Sequence, residues 1–218
     1  MSKEKITRSR LAYHQAQLEG LAGLDVPAQA QALGLEVDEQ GRAVMDFLGR
    51  RLLISRQGVS SADDRPATVD AQSVAAHYLA SQGRGELAGE FVPLGRLTGI
   101  NVSMGSPSES LSKPLADKFG DRYELFVQAA EKTGGRHRGL SPAGGQAWDF
   151  GLPKLPVRIE FFEADDEFPA ELKLLFDSSA NRFVSYECLE LLTMCLVVDL
   201  LMTAGLISDP EDCANSFL

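Results

Sequence analysis

The sequence predicts an α+β fold: a single domain in which a largely antiparallel sheet packs with helices and a long apolar helix lies near the C-terminus. Three observations predict it. Strand-like runs come in adjacent pairs, near 43–56 and 157–176, and runs of helical pattern separate the pairs. The segment from Tyr186 to Ala204 is the most apolar of the chain and has helical length. A doubly wound sheet would instead alternate single strands with helices.

The elements follow in order. Between Thr7 and Ala22, Leu11, Gln15, Leu18 and Leu21 recur at roughly helical spacing, and Pro27 suits the first turn of a short second helix ending near Gly34. These form an N-terminal helical part, 1–40, ahead of the sheet and its packed helices, 41–218. In "GRAVMDFLGRRLLIS", Val44, Asp46 and Leu48 alternate with Met45 and Phe47, which predicts a hairpin from Ala43 to Arg56 turning at Gly49. "SSADDRPATVD" is a polar loop from which Thr68 or Asp70 caps a helix over 71–81. Glycines at 83, 85 and 89 imitate a nucleotide-binding loop, but they follow a helix and no lysine stands where a phosphate would need it. Ser106 and Ser108 suit the cap of a helix toward Phe119. Tyr123, Phe126, Val127 and Ala130 give the next helix its apolar face, and Gly134 stops it. "GRHRGLSPAGGQAWDF" reads as a loop, after which strands are expected at Val157–Phe162 and Leu172–Phe176.

Composition limits the functions. At 218 residues, 44% hydrophobic and 24% charged, the chain is long enough to bury a sizeable core. No eighteen-residue run is both apolar and free of charge, and "MSKEKITRSR" leads into no apolar signal core, so a cytoplasmic protein without membrane attachment is expected. Of the net charge of −10, residues 151–218 supply thirteen acids against four bases, a surface that repels nucleic acid. Three cysteines argue against a disulfide framework. Cys188 and Cys195, seven apart on one helix, stand about 10 Å apart at about 1.5 Å per residue, too far to bridge.

Three segments could carry chemistry. "RIEFFEADDEFPAELKLLFD" holds six carboxylates, Glu160, Glu163, Asp165, Asp166, Glu167 and Glu171. Asp165, Asp166 and Glu167 could ligate a hard divalent cation, although Ala170 replaces the glycine of a calcium loop. The same acids could equally form a charged turn before Pro169 or a surface for a partner; Phe168 among them is either an anchor to the core or an exposed contact. Asp177, closing the second strand, would point back to this turn or cap the next one through Ser179. Second, Arg136, His137 and Arg138 in the glycine-rich loop could hold a phosphate or carboxylate. Third, Cys188, Cys195 and Asp199 share one side of the last helix. That face could contribute one or two metal ligands, Cys195 with Asp199 at i, i+4. Core packing is the simpler account of the thiols, and Asp199 in so apolar a setting then needs a partner, an arginine from the first half of the chain. His14 and His77 have no second ligand at i, i+4, and no G-x-S-x-G nucleophile motif occurs.

The run from Gly144 to Leu192 resembles the family called domain of unknown function 3786, a prokaryotic family seen mostly in anaerobes. Pro156 opening a strand, Asp166, Glu167, Phe168 and Pro169 in the turn, Leu175, Phe176 and Asp177 closing the next strand, and Glu187 starting the last helix carry the resemblance. "FLGRRLLIS" and "LADKFG" agree with its earlier blocks. The resemblance implies no defined activity. It associates some members with iron–sulfur-binding segments and with corrinoid and one-carbon metabolism, but this chain lacks the cysteine-rich segment, and Cys188 stands where an acid is expected. The expectation is a binding or accessory protein with a small-molecule or protein partner. The alternative is an enzyme using a divalent metal or paired carboxylates on a small anionic substrate held by Arg136 and Arg138.

Overall fold

The computed structural model describes residues 3–63, 66–81, 85–97, 112 and 115–209, with side chains from residue 8 onward. Helices α1 (Lys3–Glu19) and α2 (Val26–Ala32) precede a four-stranded sheet of β1 (Glu36–Val37), β2 (Ala43–Phe47), β3 (Arg50–Ser55) and β4 (Gly58–Ser61). Then follow α3 (Val69–Ala80), the short strand β5 (Phe91–Val92), α4 at 115–119 and α5 (Tyr123–Lys132). A second sheet contains β6 (Arg136–Leu140), β7 (Gln146–Leu152), β8 (Leu155–Phe162) and β9 (Glu171–Asp177) in the order β5-β9-β8-β7-β6, and α6 (Tyr186–Thr203) comes last. Among the described residues every strand pair is antiparallel and the strands form two sheets in place of the expected one, so the α+β class holds.

The hairpin at 43–56 follows its alternation: Ala43, Met45 and Phe47 are buried while Asp46 faces outward. Its turn has Leu48 at φ 49° and Gly49 at φ 74°, the mirror-image turn whose twist suits a two-residue hairpin loop. Gly49 is also needed for space, because a Cβ there would collide with the Lys132 carbonyl at the end of α5. A glycine thus lets the first sheet touch the helix that covers the second.

That helix explains how the larger sheet is filled. Phe126 of α5 lies 5.1 Å from Phe161, 6.0 Å from Trp148 and 5.4 Å from Phe119 of α4, centroid to centroid, the last two edge-on. The inner face of the sheet runs through Trp148, Phe150, Val157, Ile159, Phe161, Leu172, Leu174 and Phe176, all buried. α6 buries nine residues, among them Leu189, Leu192, Leu196, Val197, Leu200 and Leu201; each leucine removed from water contributes about 1.5–3 kcal/mol. Thr68 caps α3 through the Ala71 N–H, one of the two caps expected there, and Ser185 caps α6 by accepting from the Cys188 N–H, a cap not anticipated from the sequence.

Three expectations change. Leu11 is 51% exposed; the side of α1 turned to the protein is Tyr13, His14, Gln17 and Leu18, so of the expected series Leu18 and the buried Leu21 just past the helix pack inward, while Leu11 and Gln15 do not. The segment read as a loop at 135–150 is largely strand: β6 pairs with β7 across a bulge between His137 and Gly139, and only 141–145 turns between them. β6 lacks alternation because it is an edge strand, where charge and a bulge discourage further pairing. The caps expected at Ser106 and Ser108 lie outside the described residues.

Candidate functional site

The acidic stretch is the β8–β9 turn. β8 and β9 pair from Val157↔Phe176 to Phe162↔Glu171, so residues 163–170 project beyond the end of the sheet. Asp165 organises the projection. Its Oδ1 accepts from the N–H groups of Glu167 at 2.8 Å and Phe168 at 2.7 Å, while its own N–H donates to the Phe168 carbonyl at 3.0 Å. Those backbone donors hold its carboxyl below the usual range. Asp166 and Glu167 are exposed, and Phe168 is 66% exposed, so its ring is a displayed group and no anchor to the core. Among the described residues, no group of three or more His, Cys, Asp or Glu side chains is gathered as metal ligands.

Asp177 sits at the far end of β9 from this turn, about 20 Å away at about 3.4 Å per residue, so it does not point back toward it. Its other expected role is realised. It is 1% exposed and accepts from the N–H groups of Ala88 at 3.0 Å, Gly89 at 2.7 Å and Ser179 at 2.9 Å, and from the Ser179 hydroxyl. Burial alone would raise its pKa, but these donors outweigh burial and hold it below the ordinary value. The carboxylate ties the segment before β5 to the turn after β9.

The three basic residues do not converge. Neighbours on a strand face opposite ways. His137 turns toward Trp148, ring centroids 5.0 Å apart, and its Nε2 lies 2.9 Å from Gln146 Oε1. Arg138 turns the other way and donates through Nε to Asp149 at 2.9 Å, and Arg158 donates to the same carboxylate at 2.7 and 3.0 Å. The Arg158 guanidinium also lies 3.7 Å from the centre of the Phe91 ring. Arg136, in register with Asp149, is exposed. The outer face of the sheet therefore carries an arginine–aspartate–arginine row. It is separate from the acidic turn, which lies at the Phe161–Phe162 end of the sheet.

Sequence reasoning missed a polar junction where α1 and α3 meet the start of α6. His77 Nε2 accepts from the Ser185 N–H at 3.2 Å, so in the neutral ring the proton sits on Nδ1, 2.9 Å from the Tyr13 hydroxyl. The Tyr13 hydroxyl also meets the Ser185 hydroxyl and the Cys188 thiol. His14 Nδ1 lies 3.0 Å from the Ser73 hydroxyl, and Arg10 pairs with Asp70. Burial pushes the Cys188 thiol up to about 12 and the Cys195 thiol well above its ordinary value, so neither is an activated nucleophile. No local motif marks this junction, since its members are 64 and 108 residues apart.

Burial lowers the His77 pKa, with Glu187 opposing. The unfolded chain therefore takes up this proton more readily than the folded one. The resulting stability is full above pH 6.5 and is lost as pH falls from there through the lower folded value. Urea midpoints between pH 7.5 and 5.5 should fall in the wild type and fall less in His77→Gln; equal slopes would show that His77 does not contribute.

Among the described residues, no helix is long and apolar enough to cross a membrane. Comparison with curated proteins and with solved structures returned no match. The family described as Domain of unknown function (DUF3786) matches residues 25–199, from the start of α2 to the fourth turn of α6. That span takes in both sheets, the acidic turn and Asp177, and leaves α1 outside, so the chain belongs to the domain of unknown function 3786 family.

Proposed function

We propose that the protein is a binding or accessory module whose contact element is the β8–β9 turn, docking a protein partner through Phe168 and the carboxylates around it. The exposed Phe168 ring carries the reading, because a phenyl group 66% exposed on a turn that Asp165 braces forgoes burial where a soluble corner would use a polar residue. An aromatic anchor inside a charged rim is the usual composition of an interface hot spot. The complementary surface is an apolar pocket rimmed by lysine or arginine. The family resemblance adds the setting: cofactor, corrinoid or metalloprotein metabolism of anaerobes. The carboxylate-enzyme alternative requires the acids and the arginines in one concavity, whereas the acids stand on a projecting turn and Arg138 and Arg158 share Asp149.

A photo-crosslinking phenylalanine analogue at position 168, used in the native host, should trap one partner identifiable by mass spectrometry. Calorimetry with that purified partner should show Phe168→Ala weakening binding by at least about tenfold, about 1.4 kcal/mol. Thermal shifts with magnesium, calcium, manganese and cobalamin supply the contrary result. A ligand at a hundred times its dissociation constant adds about 2.7 kcal/mol. If one of these raises the melting point and Asp166→Ala or Glu167→Ala abolishes the rise, the turn is a metal or small-molecule site and the docking reading fails.

A further inference from the structure

A cleft lies between α2 and two turns of the first sheet, with no residue of the β8–β9 turn in its lining. It has a volume of about 420 Å³, within the usual range for small-molecule sites, and Arg42, Arg56, Gln40, Gln57 and Ser55 line it beside Val26 and Pro27. Each wall has a local cause. Asp38 shapes the β1–β2 turn: its Oδ1 accepts from the N–H groups of Gln40 and Arg42, both at 2.9 Å, and its Oδ2 accepts from Arg42 Nε at 2.7 Å. Gly41 at φ 74° completes that turn against the Pro27 ring. Across the cleft, Ser55 Oγ accepts from the Gln57 N–H at 3.2 Å, and Arg56 Nε donates to the Leu24 carbonyl at 2.6 Å, which fixes where its guanidinium leaves the β3–β4 turn.

Both arginines are thus held by Nε, and among the described residues their terminal nitrogens make no other hydrogen bond. The lining residues carry two guanidiniums and no carboxylate; of the acids that flank them in sequence, Asp25, Asp38 and Glu39, Asp38 already accepts from three donors and Asp25 from the Ala28 N–H. The two glutamine amides add donors and no negative charge. In a chain of net charge −10, this is a concave, donor-rich, net-positive place with an apolar flank at Val26 and Pro27. Planar guanidiniums with free terminal N–H pairs match the two-oxygen edge of a carboxylate or phosphate.

We propose that this cleft binds a small organic oxyanion, a carboxylate or phosphate carried on a short apolar group, between Arg42 and Arg56. The head group meets the two guanidiniums, and the apolar portion lies against Val26 and Pro27. The site is independent of the β8–β9 turn, so either assignment can fail without the other.

The test is an amide-shift titration of the full chain with phenyl phosphate, benzoate and inorganic phosphate at matched ionic strength. Saturable shifts are expected at residues 40–42 and 55–57 with phenyl phosphate, benzoate or both, the tighter of the two naming the head group. Arg56→Gln and Arg42→Gln should each weaken binding by about tenfold or more. Arg56→Lys, which keeps the charge and loses the planar fork, should weaken it by about threefold or more and guards against a folding defect in the other two. Arg51→Gln removes the same charge from the other end of the β2–β3 hairpin, outside the cleft lining, where Arg51 pairs with Asp46, and should leave affinity unchanged. The proposal is overturned by absence of saturation, by equal weakening in Arg51→Gln, or by inorganic phosphate binding as tightly as phenyl phosphate.

Discussion

Replacing Asp177 by alanine should cost roughly 3 kcal/mol of folding free energy, since it strands three backbone N–H groups and a hydroxyl that the carboxylate now satisfies. A charged acceptor contributes about 1.5–3 kcal/mol per hydrogen bond, and a buried donor left without a partner costs about 1–3 kcal/mol. Water entering the space would recover part of this, which is why the sum is not the expectation. Asp177→Asn should recover little, because one amide oxygen cannot replace two carboxylate oxygens and the amide N–H₂ would face a donor. The sign with pH follows from the lowered pKa. The folded protein holds the charged form below 3.8, so the contribution is full above that value and is lost as pH falls through the lower folded one. Urea denaturation at pH 7 and along an acid series reads both effects. A loss under about 1 kcal/mol at pH 7 would count against a structural role and return Asp177 to the ligand candidates.

Asp177 also shows which part of the molecule was legible in the chain. A polar residue two before a serine at a strand end suggests a local cap, and that cap exists. Its partners at Ala88 and Gly89 are 89 and 88 residues away, and nothing local in the sequence signals them. The hairpin at 43–56 was legible because β2 buries one face and so shows period two, and the strands flanking the acidic turn because they are short apolar runs, β9 being buried on both faces over 174–177. β6 was not, since Arg136, His137, Arg138 and Leu140 on an exposed edge have no buried face to impose a pattern. The state of Phe168 was undecidable for a related reason: an aromatic among acids is compatible with burial or display, and only the path of the turn decides. The junction of Tyr13, His77 and Ser185 joins three helices and leaves no periodic trace in any of them.

The second large effect concerns the carboxylate that α6 carries into its apolar setting. Asp199 pairs with Arg50, from the strand that follows the Gly49 turn; the side chains are 16% and 10% exposed. The sequence suggested an arginine from the first half without saying which. The pair joins the first sheet to the last helix, and Arg50 Nε is already buried with no hydrogen-bond partner among the described residues, so this guanidinium has little solvent to fall back on. Asp199→Ala should therefore destabilise the protein by about 3 kcal/mol or more, chiefly by leaving a nearly buried charge uncompensated. That cause differs from a strong attraction, and a double-mutant cycle separates the two. If desolvation dominates, Arg50→Met with Asp199→Leu removes both charges together with the penalty of burying them, and should return to within about 1 kcal/mol of the wild type in urea midpoints. If attraction dominates, the double variant stays as unstable as Asp199→Ala. The first outcome would make the pair a device that sets how the hairpin meets α6, at little net gain in stability; the second would make it a principal source of stability at the contact between the first sheet and that helix.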